Sequence, residues 1–154
     1  MSKLIIIPTY NEKENIENII LKIFDLEESF NILIIDDGSP DGTAKIVKEL
    51  QKKYSKSLFL KERSGKLGLG TAYIHGFKWA LENNYEYIFE MDADFSHNPN
   101  ELKNKIQNFI ENKNDLLIAS RYLKNSKIIN WSLSRKIFSI LSNFLAKKIL
   151  RIPI

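Results

Sequence analysis

Apolar residues in this chain come in short unbroken runs, separated by longer stretches in which they recur every third or fourth position. "KLIIIP" (3–8), "NILIID" (31–36), "SLFLKE" (57–62), "YEYIFEMD" (85–92) and "DLLIAS" (115–120) scarcely alternate between apolar and polar, as strands covered on both faces do. "EKENIENIILKIF", "DGTAKIVKELQKKY", "GLGTAYIHGFKWALEN" and "PNELKNKIQNFIEN" lie between them with helical spacing, the last opening with Asn98 as N-cap and Pro99 at the first helical position. Strands alternating with helices predict an α/β fold, a mostly parallel sheet with helices on both faces. No repeat, low-complexity tract or linker interrupts the pattern.

Ligands of such sheets bind outside the carboxyl ends of the strands. There the chain reads "PTYNE" after the first strand, "DDGSPDG" after the second and "DADFSHNP" after the fourth. Carboxylates from three strands on one rim repel one another unless a cation or a hydrogen-bonding ligand offsets the charge. Asp92 and Asp94, one residue apart, can converge on a hard cation such as Mg²⁺ or Mn²⁺, which keeps several waters and bridges to phosphate oxygens. Ser96 and His97 stand close enough in sequence to add a ligand or a supporting contact. Asp36 and Asp37 precede a turn punctuated by Gly38, Pro40 and Gly42, where a carboxylate can accept from the ring N–H of a base or from a ribose hydroxyl. Asp41 suits the cap of the helix that follows. Tyr10 offers a stacking surface and Glu12 an acceptor, although Asn11 and Glu12 also read as ordinary helix-start residues. "RSGKLGLGTA" sets Arg63 and Lys66 among Gly65, Gly68 and Gly70, letting backbone approach an anion at a helix start, without the order of a P-loop.

A length of 154 residues suits one domain, and the lack of cysteine excludes disulfides and thiolate metal sites. The N-terminal apolar run is too short for a signal peptide, and no stretch approaches the roughly 18 apolar residues of a spanning helix. The expectation is a cytoplasmic protein, or one peripheral on the cytosolic face of a membrane. Charge is divided unevenly. Eight of the 23 basic residues follow Ser120 and no acidic residue does, so the preceding body sets 15 basic against 19 acidic residues. A basic tail on an acidic body calls for an anionic partner. Nucleic acid would fit the tail but be repelled by the rim, so none is expected. "NWSLSRKIFSILSNFLAKKIL" spaces Trp131, Leu133, Ile137, Phe138, Leu141, Phe144, Leu145 and Ile149 as an amphipathic helix, suited to a membrane interface or to packing on the core.

Together "PTYNE", "IDDGSPDGT", "GKLGLGTA", "MDADFSHNP" and "SRY" (120–122) resemble the family-2 inverting glycosyltransferases of GT-A, Rossmann-like fold, and most of all the dolichyl- and polyprenyl-phosphate mannosyltransferases. The likeness spans residues 3 to 151. It implies a metal-dependent hexosyltransferase with a nucleotide-sugar donor, GDP-mannose, and a polyprenyl or dolichyl phosphate acceptor at the cytosolic membrane surface. By matching motif positions, Pro8, Tyr10, Glu12, Ile35 and Asp37 hold the nucleoside, and Lys66, Asp92 and Ala93 complete the nucleotide site. Asp92 and Asp94, with Ser96, hold Mg²⁺ or Mn²⁺ on the diphosphate. Asp94, Arg121 and Arg135 are the catalytic candidates, the two arginines facing donor and acceptor phosphates.

Residues 1–120 would then be the nucleotide-sugar-binding core, and 121–154 a basic, amphipathic acceptor- or membrane-side segment of the same domain. Family members continue beyond this point, so the chain reads as a shortened form. The alternatives are a family-2 enzyme using another sugar, such as glucose from a UDP donor, and a nucleotide-sugar-binding module without turnover. A receiver-like signalling domain is disfavoured, because it needs a lone acceptor Asp after the third strand and a Lys after the fifth, where this chain has "LKERSG" and "ASRY".

Overall fold

The computed structural model describes residues 2–26, 29–96, 99–100, 106, 109, 115–118 and 132–151. Four strands, β1 (Lys3–Thr9), β2 (Asn31–Asp36), β3 (Leu58–Glu62) and β4 (Tyr87–Glu90), form a parallel sheet in the order β3-β2-β1-β4. Three helices connect them: α1 (Ile16–Phe24), α2 (Thr43–Lys53) and α3 (Leu69–Glu82). The unalternating apolar runs have the expected cause, since both faces of the central strands are covered. Ile5, Ile7, Ile32 and Ile34 pack with Ile16, Ile19, Ile20 and Ile23 of α1 and Val47 of α2. Leu4, Ile6, Leu33 and Ile35 turn the other way, toward Ala72 and Ala80 of α3. Each large aliphatic side chain so buried stabilises the fold by about 1.5–3 kcal/mol. Helix α3 lies unusually close to β1: a Cβ on Gly76 would stand 2.7 Å from Cγ2 of Ile6.

Register sets where the rim loops emerge. Thr9 pairs with Asp36 and Asp36 with Glu62, so the loops after β1, β2 and β3 leave the sheet side by side. On the other flank Glu90 pairs with Ile6, and Met91 donates its N–H to the Ile6 carbonyl at 3.1 Å. The chain then leaves β4 directly into Asp92–Asp94.

Two expectations change. Residues 115–118 form no strand, and Leu116, Leu117 and Ile118 are 74%, 48% and 57% exposed. A short apolar run tells of a preference for burial, not of whether a sheet edge receives it. Helix α1 starts at Ile16 and not at Glu12, because Asn11 adopts a positive φ of 61° and the carbonyl of Glu12 is taken by a turn, accepting from Asn15 and Ile16. Of the helix expected near 98–112, Asn100, Ile106 and Phe109 are helical, with Ile106 buried in the α1-side core. Its proposed cap, Asn98, lies outside the described residues, as do His97, Arg121 and Trp131.

The chain divides into two compact units, residues 1–113 and 114–154. The second contains α4 (Leu133–Leu150), opened by the Ser132 hydroxyl accepting from the Arg135 N–H at 3.3 Å, with Lys147 and Lys148 in its last turn facing the negative end of the helix dipole. Its larger apolar residues are 46–75% exposed. Among the described residues, no helix is long and apolar enough to cross a membrane.

Candidate active site

The carboxyl ends of β1, β2 and β4, with the start of α3, enclose a cleft of about 310 Å³. Pro8, Thr9, Tyr10 and Glu12 line it from the first loop, Asp37 from the second, Lys66, Gly68, Leu69 and Ala72 from the glycine-rich loop and α3, and Asp92, Ala93 and Asp94 from the end of β4. Nine residues singled out from sequence therefore share one concavity: Pro8, Tyr10, Glu12, Asp37, Lys66, Gly68, Asp92, Ala93 and Asp94.

The acidic rim divides into carboxylates that build the loops and carboxylates that face the cleft. Asp36 is buried and belongs to the first kind, accepting from the Thr9 hydroxyl at 2.9 Å, the Ser39 N–H at 2.9 Å and the Ser39 hydroxyl at 2.6 Å. Ser39 in turn accepts from the Asn11 N–H at 3.0 Å. Asp41 stitches the same two loops further out. Its oxygens accept from the N–H groups of Lys13 and Thr43 and from the Thr43 hydroxyl, and that hydroxyl oxygen accepts from the Glu12 N–H. The slight burial of Asp41 raises its carboxyl pKa, but these hydrogen bonds outweigh it and bring the group below its ordinary value.

Asp37 lines the cleft and also meets Arg63. The Arg63 Nε donates to Asp37 Oδ1 at 2.5 Å, Nη2 lies 2.5 Å from the same oxygen, and each side chain is only 8% exposed. The second carboxylate oxygen accepts from the Leu67 N–H at 3.1 Å. Gly38, at φ 68°, lets the turn press against the glycine-rich loop, since a Cβ there would lie 3.3 Å from the Gly65 Cα. Across the opening, the Lys66 ammonium stands 4.5 Å over the ring of Tyr10, a cation–π contact that covers one face of the expected stacking surface.

At the β4 end, the Tyr73 hydroxyl donates to Asp92 Oδ1 at 3.3 Å. Burial first, then the charges of Asp92 and Glu90, push the Tyr73 phenol far above its ordinary value, so it stays a proton donor. Burial and then the Asp92 charge also raise Glu90, a sign of crowded negative charge at this strand end. Ser96 directs both its N–H and its hydroxyl to Asp94, each at 2.8 Å.

Other candidates lie elsewhere. The Ile35 side chain is fully buried in the α3-side core and supports the rim from beneath without lining the cleft. Arg135 is exposed in the first turn of α4. The sequence reading passed over Thr9, Leu69 and Ala72 as lining, and Tyr73 as a partner of Asp92. Register with Asp36 signals the first. The helical step from Ala72 to Tyr73 signals the last only once α3 is known to face the cleft.

The sequence model described as glycosyl transferase family 2 matches residues 4–154. The chain belongs to that family. It is 38% identical over 151 residues, 98% of its length, to the polyprenol monophosphomannose synthase of Mycolicibacterium smegmatis, and 40% identical over 139 residues, 90% of its length, to the undecaprenyl-phosphate mannosyltransferase of Micrococcus luteus. It spans 57% and 56% of the length of those relatives. Among solved structures it resembles the mannosyltransferase PcManGT of Pyrobaculum calidifontis, in complex with GDP-Man and Mn²⁺, at a TM-score of 0.55 and 26% identity over 60% of this chain and 27% of that one. S. aureus TarS shares the fold at a TM-score of 0.66 and 23% identity, covering 86% of this chain and 39% of the other. The α/β, Rossmann-like sheet and the membership of family 2 thus agree with the expectation from sequence.

The carboxylates of Asp92 and Asp94 suit a hard divalent cation. Asp92 and Asp94 bring oxygen donors to one cleft, and among the described residues no group of three or more His, Cys, Asp or Glu could hold a metal ion. Two carboxylates, with water and phosphate oxygens completing the sphere, are what Mg²⁺ or Mn²⁺ accepts in sites shared with a diphosphate. Ser96, placed on Asp94, orients that carboxylate.

Proposed function

We propose that this chain is the donor-binding part of an inverting, metal-dependent hexosyltransferase that moves mannose from GDP-mannose to a polyprenyl or dolichyl phosphate. One observation carries the reading: Asp92 and Asp94 share a cleft with Tyr10, Asp37 and Lys66, in a chain 38–40% identical to enzymes named for mannosyl transfer to polyprenyl phosphates.

Tyr10, Glu12 and Asp37 are assigned to the nucleoside and Lys66, whose ammonium rests over Tyr10 in this structure, to the phosphates, and Asp92 and Asp94 would hold Mg²⁺ or Mn²⁺. That cation supplies charge stabilisation for the leaving diphosphate. An oxygen of the acceptor phosphate attacks C1 of the sugar, and the C1–O bond to the diphosphate breaks, its electron pair leaving with GDP. The acceptor oxygen is already anionic at neutral pH, so no side chain has to remove a proton. Protein residues therefore act by placement and by charge. Arg121 and Arg135 are assigned to donor and acceptor phosphates by their motif positions. The exposed apolar stripe of α4, with basic residues among it, supports a peripheral site on the cytosolic face of a membrane.

The test supplies the protein with GDP-mannose, polyprenyl phosphate and Mn²⁺ and follows mannose into the lipid fraction. Mannosyl lipid and GDP should appear in equal amounts, with UDP-glucose a much poorer donor. Binding of GDP-mannose with no lipid product would reduce the protein to a nucleotide-sugar-binding module.

A further inference from the structure

The Asp37–Arg63 pair has a geometry that base recognition alone does not require. Arg63 sits at the end of β3, its own N–H donating to the Asp36 carbonyl at 2.8 Å, and its guanidinium spreads over three partners. Nε and Nη2 engage Asp37 Oδ1, Nη1 donates to the Thr71 hydroxyl at 2.8 Å, and Nη2 reaches the Gly68 carbonyl at 3.2 Å. The other oxygen of Asp37 takes the Leu67 N–H. The segment that follows Lys66 is therefore tied to one buried ion pair, at Leu67 through the carboxylate and at Gly68 and Thr71 through the guanidinium. Its other supports are the Gly38 turn lying against Gly65 and the Thr71 hydroxyl, 2.9 Å from the Leu67 carbonyl and 2.7 Å from that of Gly68, while Leu67 and Leu69 stay 56% and 59% exposed.

We propose that Asp37 and Arg63 form a clasp on the glycine-rich loop, which makes Arg63 a positioning residue for Lys66 and so for the phosphate end of the ligand. The inference rests on the nucleotide-site reading above and deepens it. Asp37 then acts on two parts of the ligand, on the base through its remaining acceptor capacity and on the diphosphate through the loop. Lysine cannot replace arginine here, because a single ammonium cannot span the Asp37, Thr71 and Gly68 positions.

The experiment titrates the protein, with Mn²⁺ present, with GDP and separately with inorganic pyrophosphate, which has no base to recognise. Arg63→Lys and Arg63→Gln should each weaken pyrophosphate binding about tenfold, the scale of a lost charge-assisted hydrogen bond, and weaken GDP at least as much. Hydrogen exchange at the amides of 65–71 should quicken in both variants while the sheet amides keep their protection. Thr71→Val, which removes one support and leaves the ion pair, should move both readouts the same way by a smaller factor, and it serves if the Arg63 variants fail to fold. Unchanged pyrophosphate affinity and unchanged loop exchange in the Arg63 variants, or in Thr71→Val if only that folds, would overturn the clasp. A wild-type protein that bound neither probe would overturn the nucleotide-site reading itself.

Discussion

The Tyr73 hydroxyl lies 3.3 Å from a carboxylate oxygen of Asp92, so α3, which opens against the glycine-rich loop, also braces the acidic end of β4. A hydrogen bond to a metal-ligating carboxylate fixes its orientation, and losing such a partner commonly lowers metal affinity by about 10- to 100-fold. At this distance the effect belongs at the lower end. Tyr73→Phe should raise the Mn²⁺ concentration needed for half-maximal GDP binding by about tenfold, leaving metal-independent binding as it was. Isothermal titration at a series of Mn²⁺ concentrations checks this, and an unchanged metal requirement would show that the contact orients nothing.

Gly76 is where α3 comes nearest the sheet. Alanine there gains about 1 kcal/mol of helix propensity but puts a methyl group 2.7 Å from Cγ2 of Ile6, in a strand that cannot retreat because its other face is packed. Overpacking of this kind costs about 1–3 kcal/mol and should win. Gly76→Ala is expected to lower the urea midpoint with little change in slope, and a raised midpoint would mean the helix can shift outward freely.

Asp41 predicts a pH effect. Its pKa is lowered in the folded chain, so the stability it contributes is present above the ordinary value of 3.8 and disappears as the pH falls through the folded value. Asp41→Ala should lose stability at neutral pH, by about 1 kcal/mol or less for hydrogen bonds at so exposed a site, and lose progressively less in acid. Thermal melts of both proteins across pH 3–7, on the order of the carboxylate range, should therefore converge at the acid end. A constant gap would assign the effect to the backbone of the turn instead.

Much of this was legible in the chain. The runs at 3–8 and 31–36 could hardly be anything but strands buried on both faces, and the glycine and acidic punctuation after them marked the rim. What the sequence could not apportion was the work of the individual carboxylates. Asp36, Asp37 and Asp41 lie within six residues, yet one is buried in a Thr9–Ser39 network, one is paired with Arg63 and one ties two loops together. Their partners are as far as 28 residues away, beyond any local pattern. The run at 115–118 failed for a related reason, because apolar composition does not specify a neighbour.

Helix α4 carries the membrane proposal. Arg135, Lys136, Lys147, Lys148 and Arg151 lie along or just beyond a helix whose large apolar residues are exposed, and each basic residue near an anionic bilayer contributes about 1 kcal/mol. The protein should sediment with vesicles containing anionic phospholipid at low salt and be released at high salt, with Arg135→Ala weakening the attachment severalfold. Binding indifferent to lipid charge would argue against an interfacial role for α4.

The most direct measurement is the affinity for GDP with and without Mn²⁺, in the wild type and in Asp92→Asn and Asp94→Asn. If those carboxylates hold the cation on the diphosphate, Mn²⁺ should tighten wild-type binding by an order of magnitude or more, roughly the effect of a charge-assisted contact, and should do almost nothing in either variant. Metal-free affinity in the two variants would then equal or exceed that of the wild type, because a carboxylate facing the diphosphate has been neutralised. Equal enhancement by Mn²⁺ in all three would contradict the account, because the cation would have to be held somewhere other than at the end of β4.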